Sequence, residues 1–151
     1  MRLSHTDSAG KAVMVDIGAK PVVRREATAR GKIFLQPATI VLVERNRIRK
    51  GDVLATARIA AVCGAKKTAD LIPLCHNIPI DRIEVELGIE IDGIAIQATV
   101  AGEAKTGVEM EALTAVSVAA LTVYDMCKAV DKKMIIGAIR LIRKRKSEIP
   151  R

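Results

Sequence analysis

Residues 112–123 form a run with no charged side chain and consist only of Ala, Val, Leu, Ser and Thr. Thr106 and Glu109, just ahead of the run, have the spacing of a capping box, which predicts the start of a helix. A helix that is apolar on every face is buried on every face. The run is also shorter than the roughly 20 residues that a bilayer-spanning helix needs. The pattern therefore predicts a core helix with packing partners all round.

Weaker patterns predict the elements before this helix. Residues 1–20 have little periodicity, which indicates an extended arm that carries His5, Asp7 and Asp16. A strand-like stretch over 22–35 follows. Pro37 then suits the first turn of a helix, although residues 40–43 are β-branched enough to form a strand instead. Asp52 is the expected N-cap of an Ala-rich helix over 53–68, with cations in its last turn. Two prolines within 71–79 predict an irregular, stiff loop.

The second half of the chain predicts a hairpin, the core helix and a last strand. Residues 83–87 alternate between apolar and polar, as a half-buried strand does. Asp92-Gly93 separates this stretch from the strand-like residues 94–100, which is a strong hairpin signal. A strand over 134–142 and a basic tail over 143–146 end the chain.

This order of elements indicates one fold class. Strand, helical region, strand, strand, helix and strand make the ferredoxin-like βαββαβ order, an α+β fold whose antiparallel sheet carries helices on one face. We therefore predict an N-terminal arm over 1–20, a single domain over 21–146 and a short tail over 147–151.

Composition narrows the kinds of partner. The chain has 151 residues, half of them hydrophobic, and a net charge of +8. This charge favours an anionic partner, either nucleic acid, a phosphorylated small molecule or an acidic surface, although plain solubility explains it equally well. The cysteines are odd in number, without metal or redox spacing, and no signal peptide or transmembrane segment is recognised. These features predict a protein of the reducing cytoplasm with no membrane partner.

Charged residues return at the two ends of the core helix. Glu111 and Lys128 are seventeen positions apart, which corresponds to about 25 Å along a helix. If both serve one active site, two subunits must place such helices side by side; otherwise, loops from elsewhere complete each end separately. A small-residue helix that is apolar on every face suits contact between subunits, so the pattern favours a homo-oligomer.

Lysines at two helix ends are the first candidates for chemistry. Lys50 precedes the helix capped by Asp52, where the positive end of the dipole disfavours an ammonium group and so suits a general base. Phosphate oxygens could bind at the same end. Asp125 and Lys128 share a helix face near the other kind of end, where Lys128 is a candidate general acid or anion clamp. Ordinary surface lysines and a modest surface ion pair are the simpler explanations from spacing alone.

The remaining candidates lie near the loop and the start of the core helix. Glu109 is explained as a helix cap, whereas Glu111 has no such structural explanation. His76 and Cys75 share the proline-bounded loop, but a lone histidine is usually structural, and no base accompanies the cysteine. One His and one Cys do not make a zinc site, and neither a P-loop nor a dinucleotide fingerprint is present. The residues therefore predict no metal site.

Three stretches of the chain resemble a known family. They are Lys50-Gly51-Asp52 with the helix after it, residues 70–76, and residues 106–114 continuing to 124–130. With Met14-Val15-Asp16 in the arm, they closely resemble the cyclic pyranopterin monophosphate synthases, the molybdenum cofactor biosynthesis C proteins. The resemblance covers nearly the whole chain in the right order. Asn77 departs from it, since a proline usually follows that histidine.

The resemblance implies a structure and an activity. It implies a ferredoxin-like subunit, a homohexamer built as a trimer of dimers, and active sites at the dimer interface. The implied enzyme is a lyase that converts 3′,8-cyclo-7,8-dihydro-GTP to cyclic pyranopterin monophosphate and releases pyrophosphate. No redox cofactor is implied, and a role for Mg²⁺ with the substrate phosphates is left open.

The resemblance also assigns roles to residues at matching positions. The catalytic residues it implies are Lys50, Asp125 and Lys128. Implied substrate contacts are Leu74, Cys75, His76, Met110 and Glu111, and supporting pocket residues are Asp16, Arg25, Lys66, Glu109 and Lys144. The implied mechanism is an acid–base ring rearrangement in which a lysine and Asp125 move protons. Basic groups hold the triphosphate while a sugar hydroxyl attacks the α-phosphorus.

Two other classes of function stay open on the residues alone. A ferredoxin-like nucleic-acid-binding module would use the same positive charge, but it normally stacks bases on strand aromatics, and only Phe34 is available here. A non-catalytic assembly protein would also fit if the candidate residues are inert. We predict a nucleotide-derived small-molecule substrate and no nucleic-acid partner.

Overall fold

Four strands and four helices make up residues 10–149, the part of the chain that a computed structural model describes. His5 and Asp7 of the expected arm lie outside these residues. Residues 10–20 contain no helix, and they end in a turn in which Lys20 N donates to Ile17 O. The elements are β1 (Val23–Phe34), α1 (Pro37–Glu44), α2 (Val53–Lys66), α3 (Thr68–Leu71), β2 (Arg82–Glu90), β3 (Gly93–Ala104), α4 (Glu109–Cys127) and β4 (Ile135–Ser147).

The four strands form one antiparallel sheet in the order β2-β3-β1-β4. Strands β1 and β3 lie in the middle of the sheet, where Ala29 of β1 is opposite Ala98 of β3. Strands β2 and β4 form the edges. Helices α2 and α4 pack side by side and share one face of the sheet. The predicted ferredoxin-like α+β class, with helices on one face, is confirmed.

Side chains alternate between the two faces of the sheet. Apolar residues such as Ala29, Ile96 and Ala98 are fully buried beneath the helices. The opposite face is polar and carries ion pairs, among them Arg82 with Glu26 at 2.8 Å. Alternation with a period of two residues is the physical basis of the strand predictions, and it holds along β2 as well.

The hairpin between β2 and β3 turns one residue earlier than predicted. Ile91 and Asp92 form the turn, and Gly93 is already the first residue of β3. A Cβ on Gly93 would collide with the Ile33 carbonyl oxygen of β1. Glycine is therefore required here by the close approach of the neighbouring strand.

Small residues let α2 and α4 approach each other closely. Ala57 and Ala61 of α2 are fully buried. A Cβ on Gly64 would lie 2.8 Å from Val118 Cγ2 of α4. With so few aromatic residues in the chain, the core is closed by tight packing between aliphatic and small side chains.

The expectation that α4 is buried on every face is wrong for the single chain. Five of its residues are fully buried: Ala112, Ala115, Val116, Ala119 and Val123. Leu121, however, is 59% exposed, and Met110 and Tyr124 are each more than one-third exposed. By length and mean hydropathy α4 would pass as a membrane span, yet 56% of its most apolar window is buried within the protein. It is the central helix of this fold, and residues 10–149 leave one stripe of it partly exposed.

Several predicted boundaries need correction. The capping box is absent, because Val108 is the N-cap of α4 and no side chain caps it. Helix α2 ends at Lys66, and the short α3 follows. The predicted basic tail is the second half of β4, where Arg143 and Lys144 lie opposite Thr28 and Ala27 of β1. Charges on successive residues hid this strand, since both of its faces are exposed near its end.

Candidate functional site

Helix α2 runs antiparallel to α4, and this places one loop at each end of α4. The loop before α2 brings Lys50 to Asp125 near the C-terminal end of α4. The loop after α3 brings Cys75 close to Glu111 at the N-terminal end. Asp52 fixes the start of α2, since its Oδ1 accepts a hydrogen bond from Ala55 N at 2.9 Å and confirms the predicted cap.

A cavity of about 410 Å³ lies at the N-terminal end of α4. Its walls come from the arm, the proline-bounded loop, the start of α4 and β4. Most of the substrate contacts implied by the sequence line it. The lining residues are Val15, Ile17, Lys20, Leu74, Cys75, His76, Ile78, Thr106, Gly107, Glu109, Met110, Glu111, Leu141 and Lys144.

Glu111 is the buried acid of this cavity. Only 3% of the residue is exposed, and its Oε2 has no hydrogen-bond partner among the described residues. Burial raises the pKa of the Glu111 carboxyl; a hydrogen bond from its own backbone lowers it, and the charge of Glu109 raises it. A buried acceptor without a partner is costly, so this oxygen is suited to accept a hydrogen bond from a donor on a ligand.

The thiol beside Glu111 is not activated. Burial raises the pKa of the Cys75 thiol, and the negative charge of Glu111 raises it further. A cysteine nucleophile needs the opposite environment, because the thiolate is the reactive form. Cys75 therefore acts in this cavity as a half-buried wall residue rather than as a nucleophile.

Glu109 and Lys144 both line the cavity and form an ion pair with each other. Lys144 Nζ is 3.7 Å from Glu109 Oε1, and the Glu109 carboxylate folds back over Gly107, where a Cβ would collide with it. This contact replaces the capping role predicted for Glu109. The side chain of Glu109 thus links the start of α4 to β4.

A second, basic cavity of about 320 Å³ adjoins the first and shares Gly107, Glu109 and Lys144 with it. Arg25, Arg145 and Lys146 also line it, together with Glu26 and the N-cap residue Val108. The Arg25 Nε atom is buried without a partner in the described chain, and Nη2 donates to Lys105 O at 3.4 Å. Several cations beside a helix N-terminus form an arrangement suited to anionic oxygens.

At the other end of α4, Asp125 joins two lysines. Lys128 Nζ lies 2.6 Å from Asp125 Oδ1, and Lys50 Nζ lies 2.6 Å from Oδ2. Lys50 also donates to the Asp125 main-chain carbonyl at 2.9 Å. The predicted pairing of Asp125 with Lys128 on one helix face is confirmed, and Lys50 joins it from a distant part of the sequence.

The charges of this cluster follow from its contacts. Hydrogen bonds from Lys128 and Lys50 lower the pKa of Asp125 to about 2. The hydrogen bond with Asp125 raises the pKa of Lys128. Two ammonium groups around one carboxylate leave a net positive charge on an exposed surface, which can receive an anion or donate a proton.

The position expected for the Lys50 ammonium group is corrected. Sequence spacing placed it at the positive end of α2, but the side chain reaches to the C-terminal end of α4 and binds a carboxylate and a carbonyl oxygen there. The Lys50 ammonium group is therefore held at the C-terminal end of α4 and not at the start of α2.

Two implied pocket residues, Asp16 and Lys66, line neither of the two cavities. Lys66 lies exposed in the last turn of α2. Asp16 is exposed in the arm, where its Oδ1 accepts from Gly18 N at 2.7 Å and shapes a turn. This turn is held to the body by Lys105 Nζ, which donates to Gly18 O at 2.7 Å.

The sequence reading missed Lys20 and the apolar wall residues Val15 and Ile17. All three come from the arm and line the larger cavity. Alternation of Val15, Asp16 and Ile17 was the available signal, since an extended segment turns alternate side chains to one side. Among the described residues, no group of three or more His, Cys, Asp or Glu could hold a metal ion.

The cavity and the lysine cluster are too far apart to act together in one chain. Both are attached to α4, a single 19-residue helix. Fourteen positions separate Glu111 from Asp125, which is about 21 Å along a helix. The structure thus brings all of the implied site residues except Asp16 and Lys66 into two groups, at opposite ends of α4.

Comparisons with known proteins give one consistent result. A family model described as the MoaC family matches residues 14–147. A protein of Chloroflexus aggregans is 57% identical over 146 residues, covering 95% of this chain and 88% of the relative. One of Dinoroseobacter shibae is 57% identical over 141 residues, with 92% and 89% covered. One of Parvibaculum lavamentivorans is 52% identical over 145 residues, with 95% and 91% covered. All three relatives are named cyclic pyranopterin monophosphate synthase.

Proposed function

Because the chain belongs to the MoaC family, we infer that it has cyclic pyranopterin monophosphate synthase activity in molybdenum cofactor biosynthesis. One structural observation carries the inference to the site. Residues of two separate family motifs, Leu74, Cys75 and His76 of one and Met110 and Glu111 of the other, line a single cavity. A cavity of about 410 Å³ is within the usual range for small-molecule sites.

We propose that the substrate is 3′,8-cyclo-7,8-dihydro-GTP. Its base would occupy the larger cavity, where the unpartnered Glu111 oxygen can accept hydrogen bonds from ring or amino N–H groups. Its triphosphate would extend into the adjoining basic cavity, where Arg25, Lys144 and Lys146 offer charge-assisted hydrogen bonds. The two cavities share a wall, so one ligand can span both.

The chemistry we propose is an acid–base rearrangement followed by cyclisation. The purine ring opens and a pterin ring closes while lysines and Asp125 of the cluster carry protons. A sugar hydroxyl oxygen then bonds to the α-phosphorus, its proton passes to a basic group, and the bond to the β-phosphate breaks to release pyrophosphate. The reaction involves no net electron transfer, so it needs no redox cofactor.

The active site we propose is shared between two subunits. One stripe of α4 consists of Met110, Leu113, Ser117, Leu121 and Tyr124, with the small Ser117 at its centre. Its two ends are exposed, whereas Leu113 and Ser117 are half-buried. Two such helices that cross antiparallel at Ser117 place the Glu111 end of one beside the Asp125 end of the other. A two-fold axis at this point makes the contact self-complementary. The proposed hexamer is a trimer of such dimers.

A cytoplasmic location is part of the proposal. Its support is the state of the cysteines, since Cys63, Cys75 and Cys127 are all free. Free cysteines are usual where thiols are kept reduced.

The experiment that tests the function is an assay of purified protein with 3′,8-cyclo-7,8-dihydro-GTP. We expect pyrophosphate and cyclic pyranopterin monophosphate to form in equal amounts, and Asp125→Asn to lose most of the turnover. Folded wild-type protein that forms neither product would refute the proposal. A reaction with GTP alone should release no pyrophosphate.

A further inference from the structure

Asp131 is a buried carboxylate that the proposed mechanism does not use. It is 2% exposed and follows Lys128 by three positions. Its Oδ2 accepts a hydrogen bond from Gln36 N at 2.8 Å, and its Oδ1 accepts one from Lys133 N at 2.9 Å. The buried Thr39 side chain also hydrogen-bonds to it. Every contact of this carboxylate thus holds another part of the chain in place.

The carboxylate joins the turn after α4 to the start of α1. Gln36 is the N-cap residue of α1, and no side chain of α1 itself caps that end. Asp131 supplies the acceptor from outside the helix, where a negative charge is also favoured by the dipole. The turn is tied to α4 as well, since Asp131 N donates to Cys127 O at 3.0 Å.

The other end of α1 leads to Lys50. Arg47 N donates to Leu42 O at 2.8 Å and closes the helix, with Asn46 in a left-handed conformation. The buried Ile48 anchors the following turn, in which Gly51 N donates to Ile48 O at 3.0 Å. Lys50 lies in this turn. Asp131 therefore holds one end of a rigid path whose other end presents Lys50.

The path closes on itself through Asp125. It runs from the end of α4 through Asp131 and α1 to Lys50, and from the Lys50 ammonium group back to Asp125 on α4. The two lysine side chains are about half exposed, so packing does not fix their positions. Their relative placement depends on the backbone segments that carry them.

We propose that Asp131 is a positioning residue that sets the geometry of the Lys50–Asp125–Lys128 cluster. Fixing the turn after α4 against α1 holds the Lys128 backbone at a constant distance from the Lys50 turn. The proposal rests on the proposed function of the cluster. A positioning role for Asp131 differs from a purely structural role in its effect on the kinetics. Loss of the carboxylate should change turnover more than substrate affinity.

The test compares kcat and KM of Asp131→Ala and Asp131→Asn with the wild-type oligomer. Asp131→Ala removes both acceptors, and we expect kcat to fall about tenfold or more, since small misplacements of catalytic groups are costly. KM should change by less than about threefold, because substrate binding depends mainly on the cavity residues. Asp131→Asn keeps one carbonyl acceptor and should show an intermediate kcat.

Two controls make the outcome decisive. Ile96→Val trims the core beneath the helices and lowers the melting temperature, but we expect its kcat to equal that of the wild type. If kcat falls in proportion to melting temperature in this variant too, Asp131 is only structural and the proposal fails. Wild-type kcat in Asp131→Asn and Asp131→Ala overturns it as well, and Asp131→Asn decides alone if the alanine variant does not fold. A fully active Asp125→Asn would show instead that the cluster is not the catalytic site.

Discussion

The single variants Lys50→Ala and Lys128→Ala should each have almost no turnover, while the fold stays intact. Both ammonium groups lie 2.6 Å from the Asp125 carboxylate, one on each oxygen. Removal of a positioned proton-transfer group usually costs on the order of a hundredfold or more in rate. Both side chains are about half exposed, so their loss should hardly change the melting temperature.

The rate loss of the double variant, with both lysines replaced by alanine, is the more discriminating measurement. If the two lysines acted independently, losses of about a hundredfold each would multiply to about ten-thousandfold. They share one carboxylate, and removal of either leaves Asp125 with a single partner. We therefore expect the double variant to be little worse than the poorer single variant, as residues that act as a unit behave.

The assay is pyrophosphate release at saturating substrate, with melting temperature and mass followed for each variant. Lys132→Ala is the matched control, because Lys132 is an exposed lysine just beyond the cluster. Single losses below about threefold would lie far under the range of proton-transfer groups. That result, or activity that falls only as the oligomer dissociates, would show that these are ordinary surface lysines.

Three further predictions concern charge and packing. Since burial raises the pKa of Glu111 above its ordinary 4.5, the ionised side chain destabilises the fold at neutral pH. Glu111→Gln should therefore raise the melting temperature at pH 7, with the gain disappearing as the pH falls below about 4; a gain that grows at acid pH would contradict this. Gly64→Ala should cost about 1–3 kcal/mol in urea unfolding, because its Cβ would overlap Val118. Gly88→Ala, with open space around its Cβ, should cost far less, and equal losses would refute the packing argument. Single-stranded nucleic acid should bind only weakly and release steeply with salt, whereas binding that survives about 200 mM salt would show specific contacts.

The fold was predictable where one pattern dominated. Alternation in residues 83–87 and 94–100 predicted the β2–β3 hairpin, and Asp52 marked the start of α2. The C-terminal half of β4 was hidden, because Arg143, Lys144 and their neighbours are charged on both faces of an exposed strand. The Thr106–Glu109 capping box failed because Glu109 bonds Lys144, a residue that only the folded chain brings near.

The site was predictable only in part. Short spacing gave the Asp125–Lys128 pair, and the family motifs supplied the cavity residues Cys75, His76 and Glu111. Neither could show that Lys50 binds Asp125, because 75 positions separate them and only the antiparallel packing of α2 on α4 brings them together. The part of the arm around Lys20 was missed for the same reason, since its contact with the cavity is tertiary.

The most direct test of a site shared between subunits is complementation between two inactive variants. Glu111→Ala disables the cavity and Lys128→Ala disables the cluster. In a two-fold dimer of one protomer of each kind, one site carries both changes and the other carries none. Random assembly of equal amounts should therefore restore about a quarter of wild-type pyrophosphate release. Activity that stays at the level of the separate variants, although mixed oligomers form, would contradict the shared site.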